Sequence, residues 1–178
     1  STTHSGDITV SDFKFAKQGE VVIPEEPESH NDGILINDTN VVFAGDLGLA
    51  GYTINTDAET NSMNVTYSAI TGASYKNISA DITAIASDKN VLSMTVKNNG
   101  TETVTLRVDI VSKTQVTANT KVCNLSATQD GAAANTDLEW GGSTFTIAAG
   151  ATSELEVVYD TSKGPERLQI MMDSSVYG

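Results

Sequence analysis

The stretch "VLSMTVKNNGTETVTLRVDIV", Val91 to Val111, decides the fold. Leu92, Met94 and Val96 alternate with Ser93, Thr95 and Lys97. Beyond "NNGT", Val104, Leu106, Val108 and Ile110 alternate with Thr105, Arg107 and Asp109. A period of two is that of a strand with one face buried. Two such runs with a short connection predict a β-hairpin, Gly100 supplying the positive φ that its turn needs.

The same period recurs on both sides of this segment. Met63, Val65, Tyr67 and Ala69 alternate with polar residues, as do Ile78, Ala80, Ile82 and Ala84. Leu155, Val157 and Tyr159 form one set, and Leu168, Ile170 and Met172 another. Further strands are predicted at 7–17, 20–23, 33–36, 40–44, 52–55, 115–126 and 143–148. Long amphipathic helices find no support, because β-branched residues and glycine interrupt every window. The fold class that follows is all-β: an antiparallel two-sheet β-sandwich of jelly-roll type. Residues 1–6 read as a linker or tag-like segment and 7–178 as one sandwich domain. An alternative assigns the first strand, 7–17, to a preceding module. Val22 to Gly33, with two prolines and several carboxylates, reads as a solvated loop.

The chain has 178 residues and a net charge of −13, from 23 acidic and 10 basic residues. Such a surface repels phosphate backbones and anionic lipid, which excludes nucleic acid and membrane surfaces as expected partners. No run of apolar residues is long enough for a membrane-spanning helix. Cys123 is the sole cysteine, so it makes no internal disulfide and reads as a small buried hydrophobe. Together with His4 and His30 it makes an implausible zinc set. There is no GxSxG, Walker loop, HExxH or CxxC. Glu154 and Glu156, in "ELE", read as a solvated strand face. The chain is therefore read as a non-enzyme.

Trp140, in "TDLEWGGSTFTI", is the only tryptophan. It suits either a half-buried anchor beside a turn or a platform for a ligand, and the sequence leaves both open.

Three stretches are similar to non-catalytic carbohydrate-binding modules with a β-jelly-roll fold: the Val91–Val111 segment, "WGGSTFTIAAGATSELEVVYD" and "RLQIMMDSSVYG". The likeness covers residues 62–178. It implies a secreted, monomeric module covalently linked to a glycoside hydrolase. Its work would be to hold that enzyme on a polysaccharide such as β-glucan, xyloglucan, xylan or mannan. Sugar binding in such modules uses a concave sheet face or the loops of one edge. On the face reading, Arg107, Asp109 and Gln169 offer polar contacts, with Met171 beside them. Trp140 is then the main platform and Tyr52 a lesser one. The resemblance also implies a structural calcium. Asp173 occupies the position of the closing-strand acid, and Asp12, Glu20 or Asp46 would complete the set. Lys14 follows Phe13 where the resemblance would place an acid.

A rival expectation is a structural or adhesive sandwich domain of a bacterial surface protein, without sugar binding. Some such domains carry a Lys–Asn crosslink between first and last strands. Lys14 and Lys17 could serve at one end, but no Asn follows Asn135.

Overall fold

The computed structural model describes residues 4–19, 44–45, 52–57, 59–60, 62–70, 78–112, 122–137 and 142–172. Within them lie β1 (His4–Ala16), β2 (Ala44–Gly45), β3 (Tyr52–Asp57), β4 (Ser62–Ile70), β5 (Ile78–Asp81) and β6 (Val91–Asn98). There follow β7 (Val104–Val111), β8 (Asn124–Gln129), β9 (Ala132–Thr136), β10 (Ser143–Ile147), β11 (Thr152–Tyr159) and β12 (Arg167–Met172). One short helix, α1 (Thr83–Ala86), and a 3-10 turn at Thr161–Lys163 complete the described elements. None of the described helices is long and apolar enough to cross a membrane.

The all-β class expected from the alternation holds, and every strand pairing is antiparallel. The sequence suggested two sheets; the described strands form one unbroken series, β2-β5-β12-β7-β10-β9-β8-β11-β6-β1-β4-β3. The sheet curls around a single core, to which strands from both ends of the series contribute. β9 is the joint. Its Ala134 pairs with Ala127 of β8, while Thr136 pairs with Ser143 of β10.

The hairpin expected over Val91–Val111 is not formed. β6 lies between β1 and β11, and β7 lies between β10 and β12, in the other half of the sheet. Alternation identifies which face of a strand is buried; it does not choose the lateral partner. Two strands facing one core from opposite halves read the same as two paired strands. Asn98 marks the difference. It is fully buried, its Nδ2 donates to the Glu102 carbonyl (2.8 Å) and the Ile147 carbonyl (3.0 Å), and its Oδ1 accepts from the Gly100 N–H (2.9 Å). Residues 99–103 thus form an arch between the halves, and Gly100 does not take positive φ.

A tight hairpin exists elsewhere. β8 and β9 are joined by Asp130 and Gly131, with φ of 51° and 82°. Two successive positive φ values match the right-handed twist of the flanking strands, and Asp-Gly is the dipeptide that tolerates them. The strand expected over 115–126 enters β8 at Asn124, and its residues 115–121 lie outside the described residues. The turn leaves little trace in the sequence pattern because its flanks carry alanine, threonine and asparagine instead of large alternating residues.

β1 changes phase midway. Ile8 and Val10 are buried, and so are Phe13 and Phe15. The odd and even positions exchange at a bulge, seen as a register shift between Ser11 and Lys14 against β6, with Asp12 at φ 54°. One extra residue re-aims every later side chain. β1 begins at His4, inside the stretch read as a linker, and pairs with β4 on one side and β6 on the other. Each large side chain fully buried here contributes about 1.5–3 kcal/mol relative to exposure.

The alternation from Ile78 to Ala84 overruns its strand. Asp81 Oδ1 accepts from the Thr83 N–H (2.9 Å) and Thr83 Oγ1 (2.7 Å), turning the chain into α1 and leaving Ala84 exposed. The strands expected at 20–23 and 33–36, and the loop from Val22 to Gly33, lie outside the described residues.

Candidate functional site

The outward face of β8, β11, β6 and β1 carries polar side chains in cross-strand rows. Lys14 is opposite Ser93, Ser93 opposite Glu156, and Glu156 opposite Thr128. In the next row Thr95 is opposite Glu154. Cross-strand neighbours on one face sit within about 5.5 Å of each other, so each row is a continuous polar strip. These residues border an open trough of about 480 Å³ that Asp12 and Gly131 also line. The β1 bulge is what brings Asp12 and Lys14 outward while Phe13 and Phe15 turn in. The Asp130–Gly131 turn is tied to the same face, since Asp130 Oδ1 accepts from the Glu154 N–H at 2.8 Å. Asp12, Lys14, Glu154 and Glu156 make no side-chain hydrogen bond or ion pair with the described residues. Their charged ends are turned to solvent, and the backbone beneath them is held by the ladder.

The outward face of β12, β7 and β10 is built differently. Gln169 is opposite Asp109, and Met171 is opposite Arg107, so four residues expected in a sugar site do come together. Arg107 Nε donates to Asp109 Oδ1 (2.9 Å) and its Nη2 donates to Asp109 Oδ2 (2.8 Å). The fork geometry of guanidinium and carboxylate makes this a strong pair. Asp109 and Met171 are each only 3% exposed. Gly142 lies against the pair so closely that a Cβ there would run into Asp109 Oδ1 and the Val108 carbonyl. In the orientation that satisfies both ends of its amide, the Gln169 oxygen accepts from Arg167 Nη2 at 3.1 Å. The charges of this face serve one another.

A third polar feature sits inside. Asn124 is buried, its Oδ1 accepts from the Ile110 N–H (2.8 Å) and its Nδ2 donates to the Val108 carbonyl (3.0 Å) and Ser143 Oγ (3.0 Å). The amide side chain answers backbone groups of β7 as a paired strand would. Nothing in the sequence distinguished Asn124 from the chain's other asparagines.

Trp140, Asp173, Glu20 and Asp46 lie outside the described residues, and Tyr52 is placed only through its backbone in β3, opposite Tyr67. Asp12 is exposed at the bulge. Among the described residues no group of three or more His, Cys, Asp or Glu is arranged to hold a metal ion. Asp12 beside Lys14 does not make a calcium site by itself, since calcium takes six to eight oxygens.

Three groups have perturbed acidities. Cys123 is buried, and desolvation pushes its thiol up to about 11, against the opposing pull of Lys163. Tyr159 is pushed up by burial, then by Asp88 and Cys123. Its hydroxyl donates to the Ala86 carbonyl at 3.0 Å, and its ring meets Phe15 edge-on. Asp160 is held below the usual carboxylate range by the Ser162 hydroxyl and N–H, both of which donate to it. None of the three lines the trough.

Comparison with protein-family models, with curated proteins and with solved structures finds no match.

Proposed function

We propose that the chain is a non-catalytic glycan-binding module and that the trough across β8, β11, β6 and β1 receives the sugar chain. The observation that carries this reading is the set of uncommitted polar side chains on a rigid four-strand floor. Ligand pockets of this size are usually apolar with a few placed polar groups. A trough lined by carboxylates, hydroxyls and one ammonium suits a ligand that is itself polyhydroxylated. Carboxylates accept strongly from hydroxyl groups, and threonine and serine can both donate and accept. Neighbouring strands lie ~4.8 Å apart, close to the width of one pyranose ring, so successive strands along a row can meet successive sugars.

The lining has three carboxylates, Asp12, Glu154 and Glu156, against Lys14. That balance disfavours uronic-acid polymers and favours neutral glycans. Trp140 is the side chain best suited to the apolar face of a sugar, and belongs to this reading as the expected platform. The jelly-roll description of the curled sheet and secretion alongside a linked glycoside hydrolase belong to it as well. The module's effect would be to raise the local concentration of that enzyme at its substrate. A calcium contribution through Asp173 with Glu20 or Asp46 would appear as a chelator-sensitive melting temperature.

The test is affinity electrophoresis of wild type, Glu156→Ala and Trp140→Ala. The gels contain xyloglucan, mixed-linkage glucan, xylan, mannan or polygalacturonate. Wild type is expected to be retarded in at least one neutral gel and not in polygalacturonate, with Kd of about 10 μM to 1 mM. Glu156→Ala should lose much of the retardation. Equal mobility of wild type in every gel would overturn the reading and favour a structural or adhesive role.

A further inference from the structure

The arch between the halves contains Asn99 followed by Gly100. Glycine leaves the backbone unhindered, so the Gly100 nitrogen of a free chain can reach the Asn99 side-chain carbonyl. Loss of the amide proton lets that nitrogen attack Cγ. The new C–N bond closes a succinimide, the Cγ–Nδ2 bond breaks and ammonia leaves. Water then opens the ring at either carbonyl, giving aspartate or isoaspartate.

In the folded chain the attacking and attacked groups are both engaged. The Gly100 N–H donates to Asn98 Oδ1 at 2.9 Å. Asn99 Nδ2 donates to Thr9 Oγ1 (2.9 Å) and to Asp7 Oδ1 (3.1 Å), while its backbone N–H donates to the Asp7 carbonyl (2.8 Å). Asp7 Oδ1 also accepts from Asn64 Nδ2 of β4 at 2.8 Å, so Asp7 ties the arch to β1 and β4 together.

We propose that Asn99 is a site of spontaneous deamidation, that the latch to Asp7 and Thr9 restrains it, and that conversion releases the arch. The product would place a carboxylate where Asn99 had donated to Asp7, so an attraction becomes a like-charge repulsion. Ring opening to isoaspartate also lengthens the arch backbone by one atom. Deamidation is thus coupled to opening of the connection between the halves.

The proposal is tested by incubating wild type, Thr9→Val and Asp7→Ala at mildly alkaline pH. Wild type unfolded in urea is followed in parallel. Fragmentation mass spectrometry of the peptide carrying Asn98 and Asn99 reads conversion at each. Conversion at Asn99 is expected to be fastest in urea, at least about tenfold slower in native wild type, and intermediate in both variants. Thr9→Val removes one acceptor with little change of shape, so it keeps the test open if Asp7→Ala fails to fold. Equal rates in native and unfolded wild type, conversion at Asn98 instead of Asn99, or variants as slow as native wild type would each overturn it.

Discussion

The two outward faces of the sheet both carry charged side chains and use them in opposite ways. On β7, Arg107 and Asp109 close on each other, Gly142 packs tightly against Asp109, and Asp109 is buried. On β11 and β1, Glu154, Glu156, Asp12 and Lys14 line an open trough with their charged ends turned outward. A buried pair must stay intact or leave a desolvated charge behind. An exposed, unpaired charge contributes little to folding and can be spent on a ligand. Residue type alone does not separate these cases, since both are charged residues alternating with core positions on adjacent stretches of the same fold.

Substitutions can break that contrast. The largest effect is expected for Asp109→Ala, which takes the bidentate partner from Arg107 and should cost about 3 kcal/mol in urea unfolding. A loss under about 1 kcal/mol would remove the distinction between the faces. Asn98→Ala tests the arch beside them: its loss takes the donor from the buried Ile147 carbonyl and from the Glu102 carbonyl and should cost about 2–3 kcal/mol. Glu156→Ala should leave unfolding within about 0.5 kcal/mol of wild type yet weaken glycan retention about tenfold. Gly131→Ala, at φ 82°, should cost about 1 kcal/mol through its turn without touching the β7 face.

The smallest expected effects are those of pH. Cys123 holds its proton more tightly folded than unfolded, so its contribution is complete below the ordinary thiol range. It is lost as pH rises toward about 11. Asp160 has the opposite sign: its contribution is present above the ordinary carboxylate range and fades as pH falls below it. Denaturant midpoints across pH for wild type, Cys123→Ala and Asp160→Asn should show the alkaline decline softened in the first variant and the acid decline softened in the second.

Much of the inward set was legible because burial in a sheet leaves a period of two. Leu155, Val157 and Tyr159 are buried, as are Leu168, Ile170 and Met172. Cys123 is buried as its isolation suggested. Lateral order was not legible, because it depends on which edges meet and not on which faces are apolar. The firmest local pattern, Val91 to Val111, therefore yielded two real strands and a false pairing. Among the described residues the Asp130–Gly131 hairpin was not legible, because small residues flank it. For the site, alternation grouped Arg107, Asp109, Gln169 and Met171 correctly on one side of their strands. What it could not reveal was that the acid would be buried, with Gly142 packed close against it. Glu154 and Glu156 read in the sequence as a plain solvated face; the trough around them depends on Lys14, Ser93 and Thr128 arriving from three other strands.

The bulge at Asp12 carries a consequence for how this protein tolerates genetic change. Downstream of it the inside and outside of β1 depend on the extra residue standing out of the pleat: were the bulge ironed flat with every residue kept, Lys14 would turn toward the oily interior and Phe13 and Phe15 into water. Losing the extra codon itself would instead restore plain alternation, with Phe13 and Phe15 still inward and Lys14 still outward. Backbone shape, more than the presence of a residue, is what selection would have to guard at that place.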